Sequence, residues 1–380
     1  MENVYKGKRI LITGAAGTIG SVLINKLLQQ DVKEVKALDN NESELFYLND
    51  QYRKEPRYNG FYADIRDLDR LKYLAKNIDI ILHAAAMKHV IISELSPFDA
   101  VKTNAEGTLN VISAALESPS VNRVIYTSSD KAVNSTNVMG TTKLLGERLM
   151  TSAANLKGTR NIIFSSTRFG NVIGSRGSVV PIFYKQIKEG KNLTITDERM
   201  TRFFMTAEEA VNLVIEASLL AKGGEVFITK MPVMRIMDLA AAMVNLVAPK
   251  FGRRPEDIEI EFIGAKPGEK LYEELMTEEE TARTYELQHM FMVKPSIPPI
   301  YEHIDYDCYE TIISKEVDRP YISSTEQHMS VDDIKNYLIR NNILACLESG
   351  GHIAASSRKE SSSHSYFYQE ATNISDVSEF

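Results

Sequence analysis

The segment Arg9–Gly20 constrains the fold of this chain more than any other. An apolar run, Arg9-Ile-Leu-Ile-Thr13, meets the turn Gly14-Ala-Ala-Gly17-Thr-Ile-Gly20, and helical spacing then carries on to Gln30. Glycines allow a tight turn and close backbone approach, and the helix opens with its amide donors facing out of that turn. A second apolar run, Glu34–Asp39, follows, and others recur at 60–64, 79–83, 123–127 and 161–165, each after a plausible helix. Strands alternating with helices pair in parallel and are covered on both faces. Right-handed crossovers then leave a doubly wound α/β sheet as the layout.

After residue 170 the rhythm changes. Gly174, Gly177, Pro181 and Gly190 punctuate loops and one helix, 207–220 reads as a helix, and 224–229 as a strand returning to the sheet. From Met234 to about Ser323 short helices and loops mix, as in a smaller lobe over the sheet's C-terminal edge. Val331–Leu347 reads as one helix, capped by Ser330 with Asp332 and Asp333 near its positive end. The expected organisation is a dinucleotide-binding domain from 1–172 and 203–232, and a smaller α/β substrate-binding lobe from 173–202 and 233–347. The polar, aperiodic tail 348–380 is expected to be disordered.

Composition narrows the partners. Apolar content of 43% and charged content of 25% are ordinary for a soluble globular chain. The net charge of −7 is diffuse, and the basic clusters Lys6–Arg9 and Arg253-Arg254 form no stripe, which argues against nucleic acid. No stretch approaches the roughly 20 apolar residues that span a bilayer. The first strand starts so soon after Met1 that no signal peptide is expected. Cys308 and Cys346 match no disulfide or metal spacing and the histidines are scattered, so the expected setting is a reducing cytoplasm without structural metal.

The glycine turn, placed between a strand and a helix, is what dinucleotide binding requires. Gly14, Gly17, Thr18, Ile19 and Gly20 are expected to face a pyrophosphate. Asp39, ending the second strand, is placed to accept from the adenosine ribose and to repel a 2′-phosphate. With asparagines at 40 and 41, the expected cofactor is NAD rather than NADP. Asp64 and Ile65 are placed to bracket adenine. Ala84, Ala85 and Ala86 would let a cofactor lie against the backbone, and His83 reads as a packed core histidine.

Asp130 and Lys131 put a carboxyl and an amine side by side after a strand, preceded by Ser129 and followed by Met139-Gly-Thr-Thr-Lys143. With His83–Val90, Ser129–Asn134, Asn137–Gly140, Lys143, Arg168–Ser175, Leu193–Asp197, Met200–Met205 and Pro267–Lys270, in that order, the chain resembles the UDP-N-acetylhexosamine 4,6-dehydratases. These are a polysaccharide-biosynthesis branch of the extended short-chain dehydrogenases, with a Rossmann-type fold, and the resemblance covers roughly 8–280. It implies oxidation at the sugar C4 with hydride passing to NAD, loss of water across C5–C6, and return of hydride to C6. It makes Asp130 the acid toward the C6 hydroxyl and Lys131 the C5 base, which would require a raised carboxyl pKa and a lowered amine pKa. Lys143 and Asn104 would serve the cofactor.

Met139 stands where short-chain dehydrogenases carry tyrosine. A thioether moves no proton, so the C4 proton falls to Asp130 or to a relay through Ser129. Met139 would then pack against sugar or cofactor. Methionine-bearing relatives lean to retention at C5, giving UDP-2-acetamido-2,6-dideoxy-α-D-xylo-hexos-4-ulose.

The resemblance also implies a substrate side, with UDP-N-acetylglucosamine or a close UDP-hexosamine as ligand. Lys88 and His89 would reach the sugar or phosphates, Asn171 the diphosphate, Val179, Val180 and Phe183 the uracil, Arg202 a phosphate and Glu269 the uridine ribose. Lys266 replaces the family's usual arginine, keeping the charge but losing the fork. A homo-oligomer is expected by analogy. Two other readings are a nucleotide-sugar 4-epimerase and a catalytically silent NAD-binding scaffold. The first needs neither Asp130 nor Lys131 and usually keeps the tyrosine. The second suits the lost tyrosine but not the intact Asp130, Lys131 and Lys143.

Overall fold

A computed structural model describes residues 4–300 and 302–348, so the tail from 349 onward lies outside the described residues. The main sheet holds ten strands: β1 (Arg9–Thr13), β2 (Glu34–Asp39), β3 (Tyr58–Tyr62), β4 (Ile80–His83), β5 (Arg123–Thr127), β6 (Ile163–Arg168), β7 (Val226–Thr229), β8 (Thr284–Leu287), β9 (Met290–Val293) and β10 (Ile312–Ser314). Their order is β10-β8-β9-β7-β6-β5-β4-β1-β2-β3. From β7 to β3 every pairing is parallel. The result is a doubly wound, Rossmann-type sheet. Beyond β7 three antiparallel strands extend it. Residues 284–293 and 312–314 therefore belong to the sheet, whereas the sequence reading puts them in the smaller lobe. They join the sheet through the non-local pairing of β9 with β7, which local pattern does not reveal.

Pleat alternation sorts the strands between two cores. Ile10, Ile12, Ile80, Leu82 and Ile125 pack under α1 (Thr18–Leu28) and the helix Ala207–Leu220. Leu11, Ile81, Val124 and Tyr126 face the other side, under α2 (Gly107–Glu117) and α3 (Val138–Ala153). A third core, around Val180, Phe183, Leu193, Phe204, Leu239, Met243 and Leu338, forms the smaller lobe. Its helices include α4 (Val179–Lys188), α5 (Ile236–Val247) and α6 (Val331–Arg340).

The single helix expected over 331–347 is two, α6 and α7 (Ile343–Glu348). Asn342 lies between them at φ 53°, a left-handed conformation that asparagine tolerates and that ends a helix. Ser330 caps α6 as expected, accepting from Asp333 N. Among the described residues no helix is long and apolar enough to cross a membrane.

Candidate active site

The turn between β1 and α1 is built for close approach. Gly14 sits at φ +68°, and a Cβ there would lie 2.6 Å from Ala85 N. Gly20 has no room for a Cβ beside the Gly14 carbonyl. The turn thus packs directly on Ala84 and Ala85 as they leave β4. Gly17 opens α1 without a side-chain cap, which leaves the first-turn amides around Thr18 and Ile19 to serve an anion. Asp39 Oδ2 accepts from Ala16 N and Oδ1 from Asn41 N, both at 2.9 Å, closing the end of β2 against the turn. These residues fit the pyrophosphate and ribose of a dinucleotide.

Asp64 is held by Arg66 Nη2 at 2.7 Å and Asn40 Nδ2 at 3.2 Å, and the Arg66 hydrogen bonds keep its carboxyl below the ordinary range. Ile65 is buried under Gly107, which has no room for a side chain. Asn104 is buried in a widened helical turn, Lys102–Glu106. It accepts from Met87 N at 2.7 Å and donates to Thr142 Oγ1 at 2.9 Å, so it braces the β4 exit against α3. His83 is buried between Thr13 Oγ1 and Thr108 Oγ1, and burial pushes its pKa down to about 3.

The chemical residues follow β5. A short turn, Asp130–Ala132, is capped by Ser129. Ser129 Oγ donates to Asp130 Oδ1 at 2.7 Å, and Lys131 N and Nζ donate to the same oxygen at 2.8 and 3.1 Å. Asp130 is 0% exposed, and its Oδ2 has no partner among the described residues. Helix α3 seats on this turn because Gly140 lacks the Cβ that would overlap the Lys131 carbonyl. Asn137 caps α3 by accepting from Gly140 N at 2.8 Å.

Met139 and Lys143, one helical turn apart, are both buried. Lys143 Nζ donates to Thr127 O and lies 4.2 Å from the centre of the Tyr126 ring. Burial brings its pKa down to about 7, against the opposing pull of Glu147.

Lys131 departs from expectation. Burial draws its pKa down, but Asp130 and Glu273 together outweigh burial, and the amine is held above its ordinary value. Glu273 is absent from the sequence reading. It is 3% exposed, with Oε1 3.5 Å from Lys131 Nζ and 3.5 Å from Arg202 Nε. Burial and the nearby Asp130 push its own carboxyl up. Tyr272-Glu273-Glu274 has no period to tell an inward glutamate from an outward one, so no local signal singled it out.

A cavity of about 560 Å³ opens between the sheet's C-terminal edge and the smaller lobe. His89, Lys131, Asn171, Val179, Phe183, Arg202, Lys266, Glu269 and Glu273 line it. Val180 does not: it is fully buried in the lobe core, because a step of one residue turns a helix by about 100° away from Val179. Lys88 is turned to Arg176 O at 3.0 Å, outside the lining. Ser129, Asp130, Met139 and Lys143 also lie outside it. Arg202 reaches the cavity wall, but it donates to the carbonyls of Thr201, Lys270 and Leu271 at 2.8, 2.7 and 3.1 Å. Those bonds tie it to the 266–273 loop at the cavity wall.

The family pattern of polysaccharide biosynthesis proteins matches residues 10–295. An uncharacterized membrane protein of Methanocaldococcus jannaschii is 50% identical over 295 residues, covering 78% of this chain and 88% of that one. A UDP-N-acetylglucosamine 4,6-dehydratase (inverting) of Campylobacter jejuni is 38% identical over 309 residues, 80% of this chain and 87% of that one. The solved structure of Pen from Bacillus thuringiensis is 41% identical and superposes with a TM-score of 0.83, over 90% of this chain and 99% of that one. The pattern runs unbroken from the strand under the glycine turn, through the Asp130–Lys131 turn, to the antiparallel extension of the sheet, and the chain belongs to the polysaccharide biosynthesis protein family.

Proposed function

We propose that this protein is an NAD-dependent 4,6-dehydratase acting on UDP-N-acetylglucosamine or a close UDP-hexosamine, in cytoplasmic synthesis of surface glycans. One observation carries the reading. Buried Asp130 and part-buried Lys131, which lines the cavity, form an acid–base pair, while the residue that would move a proton in a simple dehydrogenase is the inert Met139. The glycine turn, Asp39 and the uncapped α1 fit NAD, and the relationship to the C. jejuni enzyme supports both substrate and reaction. A 4-epimerase needs no acid–base pair at C5–C6, and Met139 leaves it without its usual proton acceptor.

The glycine turn Gly14–Gly20, Asp39 and the open first turn of α1 would hold NAD, which would supply a hydride acceptor for C4 and the donor for C6. Ser129 passes the C4 hydroxyl proton along its 2.7 Å hydrogen bond to Asp130. Asp130 then delivers that proton to the departing C6 oxygen, which leaves as water. Lys131 removes the C5 proton, made acidic by the C4 ketone, and gives it back as C6 becomes a methyl group. The atoms balance: one water lost, one ketone and one methyl gained. Met139 supplies no second proton donor across C5, so Lys131 reprotonates the face it deprotonated and configuration is retained. The C. jejuni relative bears the opposite name, inverting.

Incubation with UDP-N-acetylglucosamine and NAD, followed by mass spectrometry and proton NMR, tests the reading. Loss of one water with a new C6 methyl signal is expected, and in deuterated water C5 should gain deuterium. Lys131→Ala should abolish turnover while leaving NAD binding intact, with Met139→Ala far milder than Asp130→Ala. An isomer of unchanged mass, or full activity in Lys131→Ala, would overturn it.

A further inference from the structure

Glu273 is a buried carboxylate at the cavity wall, beside Lys131, with no part in the mechanism above. Its backbone is fixed at both ends of the residue: Glu273 N donates to Ser323 Oγ and Ser323 N donates to Glu273 O, both at 2.9 Å. Its Oε1 lies between Lys131 Nζ and Arg202 Nε, 3.5 Å from each, while Oε2 has no partner among the described residues. A buried carboxylate oxygen left unpaired is destabilising, and such groups persist where function uses them. The Lys131 amine meanwhile sits between two carboxylates, an arrangement that favours ammonium and so opposes its use as a base.

We propose that Glu273 is a positioning residue that stores the resting proton of Lys131, freeing the amine to act at C5. This rests on the dehydratase reading. When substrate fills the cavity and excludes water, one proton moves from Lys131 Nζ to Glu273 Oε1. The ammonium–carboxylate pair becomes an amine and a carboxylic acid, with no change in net charge. Loss of water favours the neutral pair, because a buried ion pair is poorly compensated for its desolvation. The free amine takes the C5 proton, becomes ammonium, and returns that proton to C5. Glu273 gives its stored proton back as product leaves. Arg202, 3.5 Å away, keeps the carboxylate from drifting off Lys131 in the resting site.

The test is the pH dependence of kcat with UDP-N-acetylglucosamine for wild type and Glu273→Gln. In the wild type proton transfer is internal, so kcat should be nearly flat above pH 7. In Glu273→Gln it should fall about 100-fold at pH 7 and climb about tenfold per pH unit as solvent removes the lysine proton, with KM little changed. A wild-type rate in Glu273→Gln, or an equal loss at every pH, overturns the proposal. Infrared difference spectra of wild type and Glu273→Asp provide a check that does not depend on Glu273→Gln folding. Substrate binding should raise a protonated-carboxyl band that shifts in Glu273→Asp, and a missing or unshifted band overturns the proposal. If wild type releases no dehydrated product, the dehydratase reading itself fails. Dehydration without these Glu273 signatures fails the proposal alone.

Discussion

Lys143 is a lysine whose surroundings remove its charge near neutrality. Burial takes its pKa from 10.5 to about 7 in the folded chain. Between those values the unfolded chain binds a proton that the folded chain does not, so this residue makes stability rise with pH across that window. Lys143→Met should flatten that rise, as measured by urea unfolding at pH 7 and pH 9 on protein stripped of nucleotide. An unchanged slope would show that the amine stays charged when folded. The residue types at the chemical centre are legible in the sequence, because Asp130, Lys131, Met139 and Lys143 lie on one turn and the helix that follows it. The protonation of Lys131 is legible only in part, since Glu273, 142 positions away in the chain, adds to the pull of the adjacent Asp130.

Strand β6, helix α3 and the helical turn Glu278–Thr281 meet at a buried ionic triad. Arg168 donates to Glu147 at 2.6 and 3.0 Å and to Glu280 at 2.9 and 3.0 Å, with all three side chains buried. Burial opposes ionisation of Glu280, but Arg168 outweighs it and brings the carboxyl down to about 2. That contribution is therefore present above pH 4.5 and is lost as pH falls through about 2. Arg168→Met takes the ion-pair partner from buried Glu147 and leaves Glu280 only Arg283, at 3.6 Å, and should destabilise by about 3–5 kcal/mol in urea unfolding. Combining it with Glu147→Met and Glu280→Gln should recover most of that loss, and a triple variant no better than the single would refute the account. The sequence shows Arg168 within a motif, but its partners come from elements separated by long stretches of chain.

The cavity lies between the segments that follow β4, β5 and β6 and the smaller lobe, so a ligand filling it contacts both. UDP at 100 times its Kd should add about 2.7 kcal/mol of stability, read as a rise in Tm of about 2–4 °C. Lys266→Ala, an exposed change at the cavity rim, should weaken UDP binding about tenfold and leave the ligand-free Tm unchanged. An equal shift in that variant would place the diphosphate elsewhere. The doubly wound sheet is legible in the chain alone, since apolar periodicity and glycine turns are local signals. Strands β1 and β2 fall at the positions read from it, and the later ones within a few residues. Packing of distant segments sets the rest: residues 284–293 and 312–314 complete the sheet, Val180 faces the core, Arg202 is tied to a loop and Glu273 stands beside Lys131. Each of these depends on which distant segments pack together, and no local pattern in the chain encodes that choice.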